Sequence, residues 1–150
     1  MKINLKKDSL RKVNELLQNI DKKTNNRNFL IVNPDGNHAI CAGLKEEIEV
    51  IVDGHAGYYC AGMNMNADIT INGNVGTGVA ENMMSGTVHV KGNASQSAGA
   101  TAHGGTLIID GDTSSRCGIS MKGIDIIVKG SVGHMSGFMS QSGNLVICGD

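Results

Sequence analysis

The sequence predicts an all-β protein: a right-handed, single-stranded parallel β-helix of 19-residue coils, closed at its N-terminal end by an amphipathic helix. Three observations lead there. Glycine recurs at Gly54, Gly73, Gly92, Gly111, Gly130 and Gly149, each step being 19 residues. An apolar, largely β-branched segment precedes every one of them, from Val50-Ile51-Val52 and Ile69-Thr70-Ile71 to Leu145-Val146-Ile147, and such segments read as strands. The composition has 21 glycines and one proline, but no Trp, two Phe and two Tyr in 150 residues. A core without aromatic bulk must pack small aliphatic side chains closely and regularly.

Residues 9–20 place Leu10, Val13, Leu16, Leu17 and Ile20 on one stripe behind Ser9, a good N-cap. A helix here covers the open end of the solenoid, where bare strand edges would invite association. Phe29-Leu30-Ile31-Val32 then enters an irregular first coil through Asn33-Pro34-Asp35-Gly36. In the regular coils Asn74, Asn93, Asp112, Ser131 and Asp150 follow the glycines, a pairing expected at tight bends with positive φ. Ala42, Ala61, Ala80, Gly99, Gly118 and Gly137 form a column of small residues, as stacked copies of one crowded corner require. A 19-residue unit is too short for helix-containing repeats such as ankyrin or tetratricopeptide units. The chain thus divides into residues 1–28, a capping helix with its linker, and residues 29–150, the β-helix. Because Gly149-Asp150 stop inside a repeat, a C-terminal truncation or an assembly contact is expected at that edge.

The net charge of −1 and 18% charged residues provide no basic surface for nucleic acid or an anionic membrane. No apolar stretch suits a signal peptide or a membrane span. A cytoplasmic location with free thiols is the expectation. Cys41, Cys60 and Cys117 fall in one predicted column and read as buried structural thiols. His38, His55, His89, His103 and His134 fall in different columns, so no convergent metal triad is expected. Met63, Met65, Met83, Met84, Met121, Met135 and Met139 gather on one side of the coils, as core filler or as an adaptable contact surface. Lys91, Asp110 and Lys129 alternate in sign along one column, so stacked neighbours should attract. Glu81 and Arg116 are charges in apolar surroundings, better suited to interface ion pairing than to catalysis. No phosphate-loop pattern is present.

The segments GYYCAGMN (57–64), VAENMMSGTVHVKG (79–92), SRCGISMKGIDIIVKG (115–130) and GHMSGFMSQSG (133–143) resemble the GXGXG-motif β-helix family. That family includes the C-terminal domain of the glutamate synthase large subunit and the β-helical subunit of formylmethanofuran dehydrogenase. The likeness runs from about residue 28 to 150 and is nearest to stand-alone GXGXG subunits of N-methylglutamate synthase-like systems. It implies a non-catalytic structural or assembly subunit of a glutamate synthase-like oxidoreductase performing glutamine-dependent amination. Active sites would lie on a glutaminase subunit and an FMN-dependent synthase subunit, with FMN and an iron–sulfur cluster held there. The resemblance assigns no catalytic, cofactor-binding or metal-binding residue to this chain, and a homo-oligomer is compatible with it. The alternatives are a scaffold like the β-helical subunit of formylmethanofuran dehydrogenase and, in another class, an independent β-helix enzyme or carbohydrate-binding module.

Overall fold

The computed structural model describes all residues from 1 to 150. Its strands are β1 (Lys2–Asn4), β2 (Asn28–Val32), β3 (Glu49–Asp53), β4 (Asp68–Ile71), β5 (Thr87–Val90), β6 (Thr106–Ile109), β7 (Lys122–Val128) and β8 (Ser142–Ile147), with one helix, α1 (Leu10–Gln18). All eight strands pair in parallel, in chain order, as one sheet. The chain therefore returns to the same edge once per coil and forms a parallel β-solenoid. No helix is long and apolar enough to cross a membrane.

The register confirms the repeat. Val50, Ile69, Val88, Leu107, Ile126 and Leu145 stand opposite one another in successive strands, 19 residues apart. Period-2 alternation sends this column and that of Val52, Ile71, Val90, Ile109 and Val128 inward. All but Leu145, which is partly buried and packs against it, join one cluster of 33 buried residues. Each fully buried Ile, Leu or Val contributes about 1.5–3 kcal/mol, and each fills space only because the coils above and below also do.

The corners are bonded from coil to coil as well. Of 93 backbone hydrogen bonds, 66 lie outside the regular elements, which means that the whole perimeter forms rungs. The corner runs through left-handed residues at fixed places. The small-residue column is one of them: φ is 57° at Ala61, 55° at Ala80, 66° at Gly99, 69° at Gly118 and 74° at Gly137. Its members are small because that position is left-handed and, from Ala61 to Gly118, buried.

The glycines that announce the repeat have a different reason from the one expected. Only Gly54 among them has positive φ. A Cβ on Gly92 would instead strike Asn74 Oδ1 and come within 2.7 Å of Gly73 O in the coil below. The following residues form a ladder: the Asn74 N–H donates to His55 Nδ1 (2.9 Å), Asn93 to Asn74 Oδ1 (2.8 Å), Asp112 to Asn93 Oδ1 (2.8 Å) and Ser131 to Asp112 Oδ1 (2.9 Å). Glycine clears the space in which each side chain reaches the next backbone.

At the N-terminal end the strand β1 adds a rung that the short KIN segment did not announce, pairing Lys2–Asn4 with Leu30–Val32. Helix α1 then crosses the open coil. Ser9 accepts the Lys12 N–H at 3.3 Å as N-cap, and Val13 and Leu17 are buried while Leu10 and Ile20 pack against the core. Leu16, expected on the same stripe, is 43% exposed. The helix also satisfies the backbone edge beneath it. Asn14 Nδ2 donates to Ala39 O (2.8 Å), Asn14 Oδ1 accepts the Cys41 N–H (3.0 Å) and Gln18 Nε2 donates to Ala42 O (2.8 Å). Cap and core thus meet through both apolar and polar contacts.

Candidate functional site

The first coil is longer than the rest, and this changes the cysteine column. Phe29 pairs with Val50, a spacing of 21 residues. At the corner the Ala61 N–H donates to Ile40 O, whereas the Ala80 N–H donates to Cys60 O. The first coil is therefore offset by one residue there, so that Ile40 stacks on Cys60 and Cys41 on Ala61. Cys60 and Cys117 keep their shared column with Val79 and Ala98; Cys41 does not join it. All three thiols are buried, and Cys148 is exposed. Burial pushes Cys60 up to about 12 and, partly offset by a hydrogen bond with Thr113, Cys117 up to about 11. Burial, with Cys60 nearby, raises Cys41 as well. These thiols stay protonated near neutral pH, and the thiolate is the reactive form.

The outer face of the sheet holds a small charge network. Asp110 Oδ1 lies 3.0 Å from Lys129 Nζ and 2.9 Å from His89 Nε2. The Lys129 contact is the one expected from alternating charges. On the other side His89 takes the place expected of Lys91, because it projects from the same face of β5 and reaches Asp110 diagonally. Burial alone would raise the Asp110 carboxyl, but the hydrogen bonds and charges of His89 and Lys129 outweigh it and hold it below the usual carboxylate range. Glu81 and Arg116 form no ion pair within the chain.

The methionines divide. Met83 and Met121 are core, whereas Met63, Met65, Met84, Met135 and Met139 are 41–67% exposed. Tyr58 and Tyr59 are half exposed, and Phe138 is 49% exposed. Thus three of the four Phe and Tyr rings lie outside the core, with Phe29 the one inside. Tyr58 stacks on His38 at 4.4 Å, with Tyr59 edge-on at 6.5 Å. The rings sit over glycine backbone: a Cβ on Gly76 or Gly78 would lie 2.9 or 2.6 Å from Tyr58 or Tyr59. The result is two groups of exposed apolar side chains on the corner face, one in the early coils (Tyr58, Tyr59, Met63, Met65, Met84) and one in the last (Met135, Phe138, Met139). Large, rigid or adaptable apolar side chains in such places suit protein contact.

Two features were not legible in the motifs. Asn64 is fully buried, its Nδ2 donating to Ala67 O and Ser85 O while its Oδ1 has no partner. His38 Nδ1 accepts the Tyr58 N–H at 2.8 Å, so this imidazole, like His55, serves as a backbone acceptor.

Over 57 residues the chain is 53% identical to Protein GlxC of Rhizobium meliloti (strain 1021); the match covers 38% of this chain and 25% of that relative. The matched stretch thus spans a quarter of the relative's length. No family description matches the sequence, and no solved structure matches it.

Proposed function

We propose that this protein is a non-catalytic structural and assembly subunit of a glutamate synthase-like oxidoreductase, supporting glutamine-dependent amination on partner chains. The partners would be a glutaminase subunit and an FMN-dependent synthase subunit, the latter carrying FMN and an iron–sulfur cluster. The observation that carries this reading is the 53% identity to Protein GlxC over 57 residues, falling on a chain whose repeat has GXGXG-like segments. The architecture supports it physically. A solenoid of stacked coils is rigid and extended, its buried thiols are held in the unreactive form, and its exposed Tyr, Phe and Met side chains offer contact surfaces at both ends of the corner face.

Affinity purification of the tagged chain from its native host, followed by mass spectrometry, tests the reading. Co-elution of a glutaminase and an FMN-dependent synthase in fixed ratio is the expected result. Recovery of the chain by itself, as a discrete homo-oligomer, overturns it.

A further inference from the structure

Between the linker that follows helix α1 and the corners of the first two coils lies a cavity of about 630 Å³, within the range of about 300–1,000 Å³ usual for small-molecule sites. Lys22 and Arg27 line it from the linker, Lys45, Glu46 and Glu47 from the first coil, and Asn66 from the second; Met65 is the one apolar side chain in its wall. The lining therefore combines three cations with two carboxylates, and none of these five groups forms an ion pair within the chain.

Arg27 is held in place without a counter-ion. Its carbonyl accepts the Glu49 N–H (2.9 Å) at the entry to β2. Its Nε donates to Glu47 O (2.9 Å) and its Nη1 to Asp21 O (3.1 Å), so the guanidinium staples the linker to the first corner. A guanidinium carries five N–H donors, and these two bonds leave three of them for a ligand. The wall from the second coil is fixed as well. Asn66 Nδ2 donates to Lys45 O (3.2 Å), and Asn66 Oδ1 accepts the Ser85 hydroxyl (3.2 Å).

We propose that this cavity binds an acidic α-amino acid, a property that does not rest on the assembly role. A planar anion with two oxygens matches the guanidinium fork, which points to a carboxylate. A ligand with negative charge alone would face Glu46 and Glu47, and one with positive charge alone would face Lys22, Arg27 and Lys45; either meets repulsion. Two carboxylates and one ammonium on the same molecule answer both sets, and its single net negative charge balances the one cation in excess. The two glutamates disfavour a phosphate dianion still more than a carboxylate. The lining has no aromatic ring on which a nucleobase could stack.

The test is isothermal titration of the full chain at pH 7 and low ionic strength. L-Glutamate, L-aspartate or both should bind one equivalent with a Kd of about 1 mM or tighter. Glutarate, which lacks the ammonium, and L-glutamine, which lacks the side-chain carboxylate, should bind at least about tenfold more weakly than the preferred amino acid. Lys22 and Lys45 are exposed, and Lys22→Gln/Lys45→Gln should weaken binding at least about tenfold without loss of fold, which thermal unfolding verifies. Glu46→Gln/Glu47→Gln should weaken binding of the amino acid yet strengthen that of glutarate, an opposite response that a merely structural role would not produce. Independently of any variant, the amino acid should shift the 15N–1H resonances of the Arg27 Nε and the Asn66 side chain. Absence of saturable binding by both amino acids, equal affinity for glutarate, tighter binding of inorganic phosphate, or shifts confined to residues outside the cavity overturns the assignment.

Discussion

Asn14 is the polar clamp between helix α1 and the first coil, and its removal should loosen one end of the solenoid. In Asn14→Ala the Cys41 N–H and Ala39 O lose side-chain partners that now stand at 3.0 and 2.8 Å. A net hydrogen bond contributes about 0.5–1.5 kcal/mol, so the two together come to about 2 kcal/mol. For a chain of this length each kcal/mol moves the midpoint by about 2–4 °C, giving a fall in Tm of about 4–8 °C. Because each coil contacts only its neighbours, the loss should be local. Amide exchange should accelerate at Cys41 and along the first coil and stay unchanged at Leu107 and Ile109 in β6. Leu16→Ala, on the exposed face of the same helix, is the control and should shift stability by no more than about 0.5 kcal/mol. An Asn14→Ala protein with wild-type Tm and a protected Cys41 amide would refute the view that this side chain seals the coil edge.

Three further outcomes follow from the same geometry. Gly92→Ala should destabilise by about 1–3 kcal/mol, read by urea unfolding, because the added methyl meets the Gly73 carbonyl at 2.7 Å. Iodoacetamide at pH 8 should label Cys148 alone in the native protein and all four cysteines after denaturation, since burial pushes Cys60 up to about 12 and Cys117 up to about 11 and raises Cys41. Asp110 has a folded-state carboxyl held below its ordinary range, so its ionised form contributes stability above the ordinary carboxylate range, and that contribution fades as pH falls through the lowered value. Asp110→Asn should therefore be less stable than wild type at pH 7, and the gap in Tm should close as the pH is taken below about 4; a gap independent of pH would show that the contacts of Asp110 do not depend on its charge.

The sequence alone determined the architecture, because stacking makes each position of the coil answer to its counterparts. A 19-residue recurrence of glycine and β-branched segments leaves few alternatives; the strands β3 to β8 and their inward columns lie where the repeat places them, and the capping helix lies where its apolar stripe behind Ser9 does. What depended on breaks in that repeat was decided only by the tertiary structure. The first coil is two residues longer than the others, which leaves its corner offset by one and Cys41 over Ala61 instead of Cys60, and a periodic reading has no means of locating an insertion inside a coil. Asn14 and Gln18 look like ordinary polar helix positions until the backbone edge they seal is in place, and β1 is too short to show a period. The repeat glycines were correctly located but differently explained, since a clash with the Gly73 carbonyl or the Asn74 side chain involves another coil and leaves no mark on local sequence. The methionines divide for the same reason. Adjacent Met83 and Met84 have the same chemistry, and only the direction of the chain at that corner sends one into the core and the other to the surface.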